Sequence, residues 1–351
     1  MGNGILNVFT YHRILPEPSG DGVSVRMFER QLDELLVRYD RILSGDQLGE
    51  FLAGADGFGG LNAAITFDDG WLDNWLIATP VLQDKGVPAI LDLATGFLHE
   101  GPVRTDSNCP EAGQSCERAQ ENFYRSDDPG GFLSCDEVRA MLDSGVWSIQ
   151  AHGHAHRRTY YRVVDAYALL GELKERQARG IPIDAGPDGP SAGCELVSEL
   201  ACRRRSVNPQ VLSTLSDGDS TTDVLLAEDV DLIPYAETNE EFTGRLRRDF
   251  EVCRSKIADL TGRVPELLFW PWGHYSEASL KIAESCGFRF TFSVDKGLVR
   301  GRAPVRVVPR ISVSEKWLKF RRNGLVYRSS FLARVHDLIS PSPSGLKLDG
   351  A

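Results

Sequence analysis

The chain predicts an α/β fold organised on parallel strands, and three observations predict it. β-Forming runs alternate with helical runs in a strand–helix–strand rhythm. Two clusters of chemistry-bearing residues fall at the carboxyl ends of two strand candidates, where α/β folds place their sites. The 351 residues are 42% hydrophobic and 25% charged, with no internal repeat or low-complexity tract, an ordinary globular composition with ample material for a core. That length fits one large domain with insertions or two domains.

Residues 5–11, ILNVFTY, read as the first strand. RMFERQLDELLVRY (26–39) places Phe28, Leu32, Leu35 and Leu36 at helical spacing. Residues 63–67 are a strand that runs into Asp68 and Asp69; WLDNWLIATPVLQDKG is a helix closing at Gly86, and VPAILDLAT (87–95) is the next strand. Residues 99–131 are polar and turn-rich, a surface insertion. FLSCDEVRAMLDSG (132–145) is a helix with Ser134 as N-cap and Glu137 completing a capping box. The strand VWSIQAH (146–152) follows. Residues 180–240, rich in Gly, Pro, Ser and Asp, read as a second insertion and a candidate lid. EEFTGRLRRDFEVCRSKIADLTG (240–262) is an amphipathic helix with a glycine after its end. LLFWPWG (267–273) is then strand and turn, EASLKIAESCG a helix, FRFTFSV (288–294) a strand and VRVVPRISV (305–313) the last strand.

A net charge of −11, from 50 acidic and 39 basic residues, disfavours a general nucleic-acid binder. The start shows no basic segment followed by an apolar one, and no apolar run approaches the ~20 residues that span a bilayer. Seven cysteines without a repeated CxxC read as mostly reduced thiols, although Cys109 and Cys116 can pair in an exported chain. A cytoplasmic protein is the expectation.

Asp68 and Asp69 are neighbouring like charges at a strand end, which repel unless something positive sits between them. QAHGHAHRRT supplies a partner cluster, His152, His154 and His156, at the end of another strand. In a loop or helical turn, His152 and His156 can converge on one cation with Asp69. Two imidazoles and a carboxylate leave positions open for water and substrate and suit zinc or another divalent transition metal, with Co, Ni and Mn as alternatives. Asp68 is then free to take a proton from a water whose pKa such a metal lowers from about 15.7 towards ~7. By itself, DDG is commonly a turn and HxHxH a polar strand end; their conjunction is the signal.

TFDDG followed by H-x-x-x-H resembles the first two motifs of the polysaccharide deacetylases, the NodB-homology group of carbohydrate esterases. TPVLQDKGVPAILDLATGF resembles the helix–strand segment between them, FWPWG (269–273) the third motif, and CGFRFTFSVDKG and VPRISV the later strands. The likeness covers roughly 1–100, 132–158 and 245–315. It implies a distorted (β/α) barrel with two loop insertions over residues 1–315, and metal-dependent removal of acetyl groups from sugars. By position, Asp68 resembles the general base, and Asp69, His152 and His156 the metal ligands. The backbone N–H of Trp272 resembles the oxyanion donor, though its ring equally reads as a packed wall. No Leu-x-His motif near the end supplies a general acid; His274 and His336 are the only later histidines. His12 in TYHRI is the alternative, because first and last strands of a closed barrel are neighbours; a structural hydrogen-bonding role for it stays open. Trp71, His154 and Pro271 are expected on the substrate side, with His154 otherwise backing a ligand. Arg310 is expected there too, or orienting Asp68, or in a surface salt bridge.

KWLKFRRNGLVYRSSFLARV (316–335) holds six Lys or Arg and no acidic residue, interleaved with aromatics, within a tail over 316–351. It reads as a basic amphipathic segment for peripheral contact with an anionic membrane, or as a packing helix with a solvated face. The expected activity is N-deacetylation of a GlcNAc-type glycan, with lipid-linked lipopolysaccharide core oligosaccharide as an acceptor reachable inside a cell. The rivals are a metal amidohydrolase of the same fold acting on a non-sugar amide, and an idle glycan- or membrane-binding module.

Overall fold

Parallel pairing begins at the first strand. The computed structural model describes residues 4–18, 20, 22–105, 115–126, 128–179, 191–216, 230–295, 297–301, 305–329 and 347–348. In chain order its main elements open with β1 (Ile5–Tyr11), α1 (Val25–Arg38), β2 (Arg41–Leu43), α2 (Gly45–Leu52), β3 (Leu61–Asp69), α3 (Thr79–Lys85) and β4 (Ala89–Leu93). They continue through α4 (Cys116–Ser126), α5 (Cys135–Asp143), β5 (Trp147–Ala151), β6 (Arg158–Val163), α6 (Ala166–Ala178), β7 (Cys194–Ser198) and α7 (Pro209–Ser216). The last are α8 (Asn239–Thr261), β8 (Leu267–Phe269), α9 (Glu277–Ser285), β9 (Phe290–Phe292), β10 (Val299–Arg300), β11 (Val307–Val308), β12 (Ile311–Ser312) and α10 (Trp317–Val326).

β1, β3, β4, β5, β8, β9 and β11 pair side by side and in parallel, with helices outside. Strands covered on both faces are apolar almost throughout. Leu6, Val8, Ala64, Ile90, Phe269, Phe292 and Val308 cluster together, while Phe9, Tyr11, Ile65 and Phe67 pack with helix residues such as Phe28 and Leu32. Alternation along β3 therefore puts Ala64, Thr66 and Asp68 on the interior face. Closure falls to the final extended segment: β11 pairs β9, and three residues on β12 pairs β1 through Phe9↔Ile311 and Thr10↔Ser312. The predicted single strand over 305–313 is thus split. Pro309 has no N–H for a ladder, and the side chain of Arg310 is buried among carboxylates. Between β5 and β8 the pairing is confined to Ala151↔Leu268, so the sheet is a nearly closed, distorted barrel.

Helix starts follow their caps: Ser134 and Thr238 head capping boxes, and Ser24 Oγ accepts from the Met27 N–H. α3 and α8 end on left-handed Gly86 and Gly262. The helix predicted from Trp71 opens instead with a π-turn over Asn74–Ala78, because Asp73 and Asn74 are engaged in holding the loop after β1. The polar stretch 99–131 contains α4, unpredicted, whose Phe123 and Tyr124 pack with Phe97, Phe132 and Trp71. The excursion expected from 180 begins earlier. β6 and β7 form an antiparallel pair, and α6 and α7 share a core of Tyr160, Leu169, Leu173, Val211 and Ile233.

In the tail, Phe320 and Tyr327 turn inward, Phe320 meeting Phe9 at 5.6 Å and the Tyr327 carbonyl accepting from Asn7 at 3.0 Å. Much of the apolar side of this basic helix is therefore spent on packing; Leu318, 80% exposed, faces outward. Residues 330–335 of the basic stretch, Cys109 and His336 lie outside the described residues. Among the described residues, no helix is long and apolar enough to cross a membrane.

Candidate active site

Neighbouring strand residues point to opposite faces, so Asp68 and Asp69 should not both face one site. Asp69 takes φ 78°, which breaks the alternation. His156 (φ 47°) and Trp272 (φ 55°) are the other non-glycine residues with positive φ among those described. Such conformations cost about 1–3 kcal/mol each and persist where the surroundings enforce them. All three occur within one site.

The Asp69 carboxylate is 4% exposed, and its Oδ1 lies 3.0 Å from His156 Nε2 and 3.4 Å from His152 Nε2. Oδ1 makes no hydrogen bond of acceptable geometry among the described residues, so it is a buried, orphaned oxygen facing two ring nitrogens. Burial works against ionisation of Asp69, but His156 and His152 hold its pKa well below the usual carboxylate range. The His152 Nδ1–H donates to the Phe269 carbonyl at 2.9 Å, which leaves Nε2 with a lone pair. This donor set fits a divalent transition metal. The residues from His152 to His156 form a loop rather than a helical turn, with Gly153 at φ 81°. Asp249, on the buried stripe of α8, accepts the N–H groups of His154 and Ala155 at 2.7 and 2.8 Å and so fixes that loop. Burial raises its pKa to about 6.

Beside this set, Asp68 is held from behind. Arg310 Nη1 donates to Asp68 Oδ1 at 2.6 Å and Nη2 to Oδ2 at 3.0 Å, and Thr10 Oγ1 donates to Oδ1 at 2.8 Å. Burial favours a neutral Asp68; the Arg310 charge, then His12, outweighs it and keeps the carboxyl ionised far below its ordinary range. Arg310 Nη1 also donates to Asp92 Oδ2 at 2.9 Å. Asp92 is pushed well above the carboxylate range, first by burial and then by the charge of Asp68. One guanidinium thus serves two acids, and of the two Asp92 is the one pushed toward its neutral form. His12, half exposed at the end of β1, brings Nε2 to 3.8 Å from Asp68 Oδ2. Its loop is tied down by a fully buried pair, Arg13 to Asp73 at 2.7 Å, and by Asn74 Nδ2 donating to the His12 carbonyl at 2.9 Å. The first–last strand contact inferred for a closed barrel is present, and it brings both Arg310 and His12 to Asp68.

Three substrate-side expectations are corrected. Trp71 is 1% exposed, stacked on Phe132, and its indole N–H donates to Asp69 Oδ2 at 2.9 Å, so it backs a candidate ligand instead of lining a groove. Pro271 is buried at the start of a 3₁₀ turn. Arg310 is fully buried, so of its proposed roles only the orienting one remains. His154 is half-buried with Nδ1 3.0 Å from Thr95 Oγ1, outside the Asp69 cluster. The Trp272 ring lies against His156, centres 4.3 Å apart and tilted by 36°, and its backbone N–H donates no hydrogen bond among the described residues. His274 accepts the Ser198 N–H instead. Asp92, Asp249 and Asp73 were missed. Asp92 and Asp249 carried a readable signal, a lone acid in an apolar strand run and one on the apolar stripe of a helix. Replacing Trp71 by Phe keeps the stack but removes the N–H; affinity for zinc is expected to fall about 10- to 100-fold by chelator competition. Unchanged affinity would deny Trp71 this role.

The polysaccharide deacetylase family model matches residues 59–178. No curated protein matches the chain in sequence. Among solved structures, the chain is similar to a de-N-acetylase from Aggregatibacter actinomycetemcomitans, with 15% identity, TM-score 0.60 and coverage of 91% of this chain and 99% of that one. It is similar also to IcaB from Ammonifex degensii, at 16% identity, TM-score 0.56 and coverage of 94% and 99%. The deacetylase domain of BpsB from Bordetella bronchiseptica gives 15%, 0.57, and 88% and 96%. At these identities the structural likeness speaks for the fold. Residues 59–178 are thus similar in sequence to the polysaccharide deacetylase family, and the chain as a whole shares the distorted barrel fold of these solved structures.

Proposed function

We propose that the protein removes the N-acetyl group from a GlcNAc-type residue of a glycan, with Asp69, His152 and His156 holding a divalent metal, zinc foremost. The supporting observation is the orphaned Asp69 Oδ1 facing two imidazole Nε2 atoms next to an ionised Asp68. When bound, such an ion polarises the acetamide carbonyl and acidifies an attacking water. Asp68 takes that water's proton on Oδ2, the oxygen that faces His12, while Arg310 keeps the carboxylate aimed. The Trp272 N–H, without another partner among the described residues, donates to the carbonyl oxygen as negative charge develops. His12 Nε2 passes a proton to the departing amine, its exposure leaving room for the acceptor sugar. Acetate and a glucosamine-type sugar result. A lipid-linked oligosaccharide is the acceptor we favour, supported by the basic, outward side of α10, where Lys319, Arg321 and Arg322 are exposed.

Acetate release from a panel of GlcNAc-containing acceptors, lipid-linked oligosaccharide included, tests the reading. Release is expected with metal, loss with chelator, and recovery on adding zinc. Acetate production that survives complete chelation would end the metal assignment, and silence on every glycan while a small amide is cleaved would favour the non-sugar alternative.

A further inference from the structure

The residues that follow the last candidate ligand carry charge that the mechanism above does not use. Arg157 and Arg158 come directly after His156, and both are exposed. The Arg158 guanidinium lies 4.5 Å from the centre of the Trp272 ring, and that ring lies against His156 at a tilt of 36°. Arg158 is thus one aromatic ring removed from a candidate ligand. Arg157 sits over Tyr124 at 5.8 Å, on the side formed by α4.

Neither arginine forms an ion pair among the described residues. The carboxylates on the strand facing β6 are committed elsewhere: Glu195 pairs Arg162 at 2.5 Å, and Glu199, after the strand end, pairs Arg204 at 2.8 Å. Across the ladder from Arg158 stands Ser198. His274, on the adjoining turn, is neutral, since burial and the Arg158 charge push its pKa down to about 4. Two unpaired guanidinium groups beside a reaction centre are unexpected in a chain of net charge −11. A guanidinium held near an aromatic ring offers a rigid planar fork of N–H donors to an oxyanion.

We propose that Arg158, assisted by Arg157, forms an anion subsite at the mouth of the site, so that the glycan carries a phosphate or carboxylate on the sugar next to the one deacetylated. The proposal rests on the deacetylase reading for the identity of that neighbouring sugar. The substrate class is then an anionic, N-acetylated oligosaccharide, and Arg158 sets specificity without touching the reacting atoms.

The test uses the zinc-loaded full chain and three N-acetylglucosamine trisaccharides: one neutral, one with a 6-phosphate on the neighbouring residue, one with glucuronate in that place. Calorimetric binding and acetate release are measured for each. One anionic ligand is expected to bind about tenfold more tightly than the neutral one, with the margin shrinking as salt is raised. Arg158→Gln is expected to erase the margin while leaving neutral binding within about twofold, and Arg158→Lys to keep part of it. Which anion shows the margin identifies phosphate or carboxylate. Equal binding of all three by the native chain overturns the proposal. So does an Arg158→Gln variant that weakens neutral and anionic ligands alike, which would mean that the residue only props Trp272. Because the anion subsite stands or falls on binding, absent acetate release would count against the deacetylase reading alone.

Discussion

Asp68→Asn is expected to keep the fold and the metal while turnover falls by about 10²- to 10⁴-fold, the range ascribed to a positioned general base. The asparagine oxygen can still accept from Arg310 Nη1 and Thr10 Oγ1, as Asp68 Oδ1 does, while the bond from Arg310 Nη2 is lost. The Arg310 charge is not stranded either. Asp92 is pushed toward its neutral form by burial first and by the Asp68 charge second; a neutral neighbour removes the second push and eases pairing of Asp92 with Arg310, already 2.9 Å away. Metal content by mass spectrometry and circular dichroism should match the native protein, and acetate release should not. A fully active Asp68→Asn enzyme would remove Asp68 from the mechanism.

The second large effect falls on stability. Arg310→Met takes away a fully buried cation that bridges Asp68 and Asp92 and leaves the ionised Asp68 without its buried counter-charge. Breaking such a pair from one side costs about 3–5 kcal/mol, because the remaining charge is both buried and uncompensated. The loss is read as a shift in urea midpoint at unchanged slope. Asp92→Asn, which replaces an acid pushed toward its neutral form by a neutral amide, is expected to shift that midpoint far less. Equal shifts for the two variants would show that the guanidinium contributes by packing, for instance against Phe269, rather than as a counter-charge.

Much of the candidate site was readable before the fold was known, and the reason is chemical. Asp68, Asp69, His152 and His156 stand close together in two short motifs, and carboxylates and imidazoles in such patterns have few structural uses. His12 was reachable only through topology, the adjacency of first and last strands that β1 and β12 display. Trp71 shows the opposite case. An aromatic residue after DDG looks like a groove wall, and no local pattern says that its N–H is needed to hold Asp69 Oδ2. Asp73 and Asn74, two and three residues further on, fall within a predicted helix; they anchor the histidine loop 60 and 62 residues away. Helix α4 was missed for a related reason: most of its residues are polar, and its few aromatic contacts become visible only against Phe97 and Phe132.

Local composition was enough for the alternation of strands and helices, for the capped start at Ser134, and for the donor atoms offered to a metal. These depend on hydrogen bonds and side-chain spacing within a few residues. The tertiary structure alone decided how those donors face one another. It holds Asp69, His156 and Trp272 at positive φ, which no short peptide would favour, and it delivers Arg310 to Asp68 across 242 residues. Both outcomes depend on closure of the barrel, and contacts made by closure leave no periodic trace along the chain.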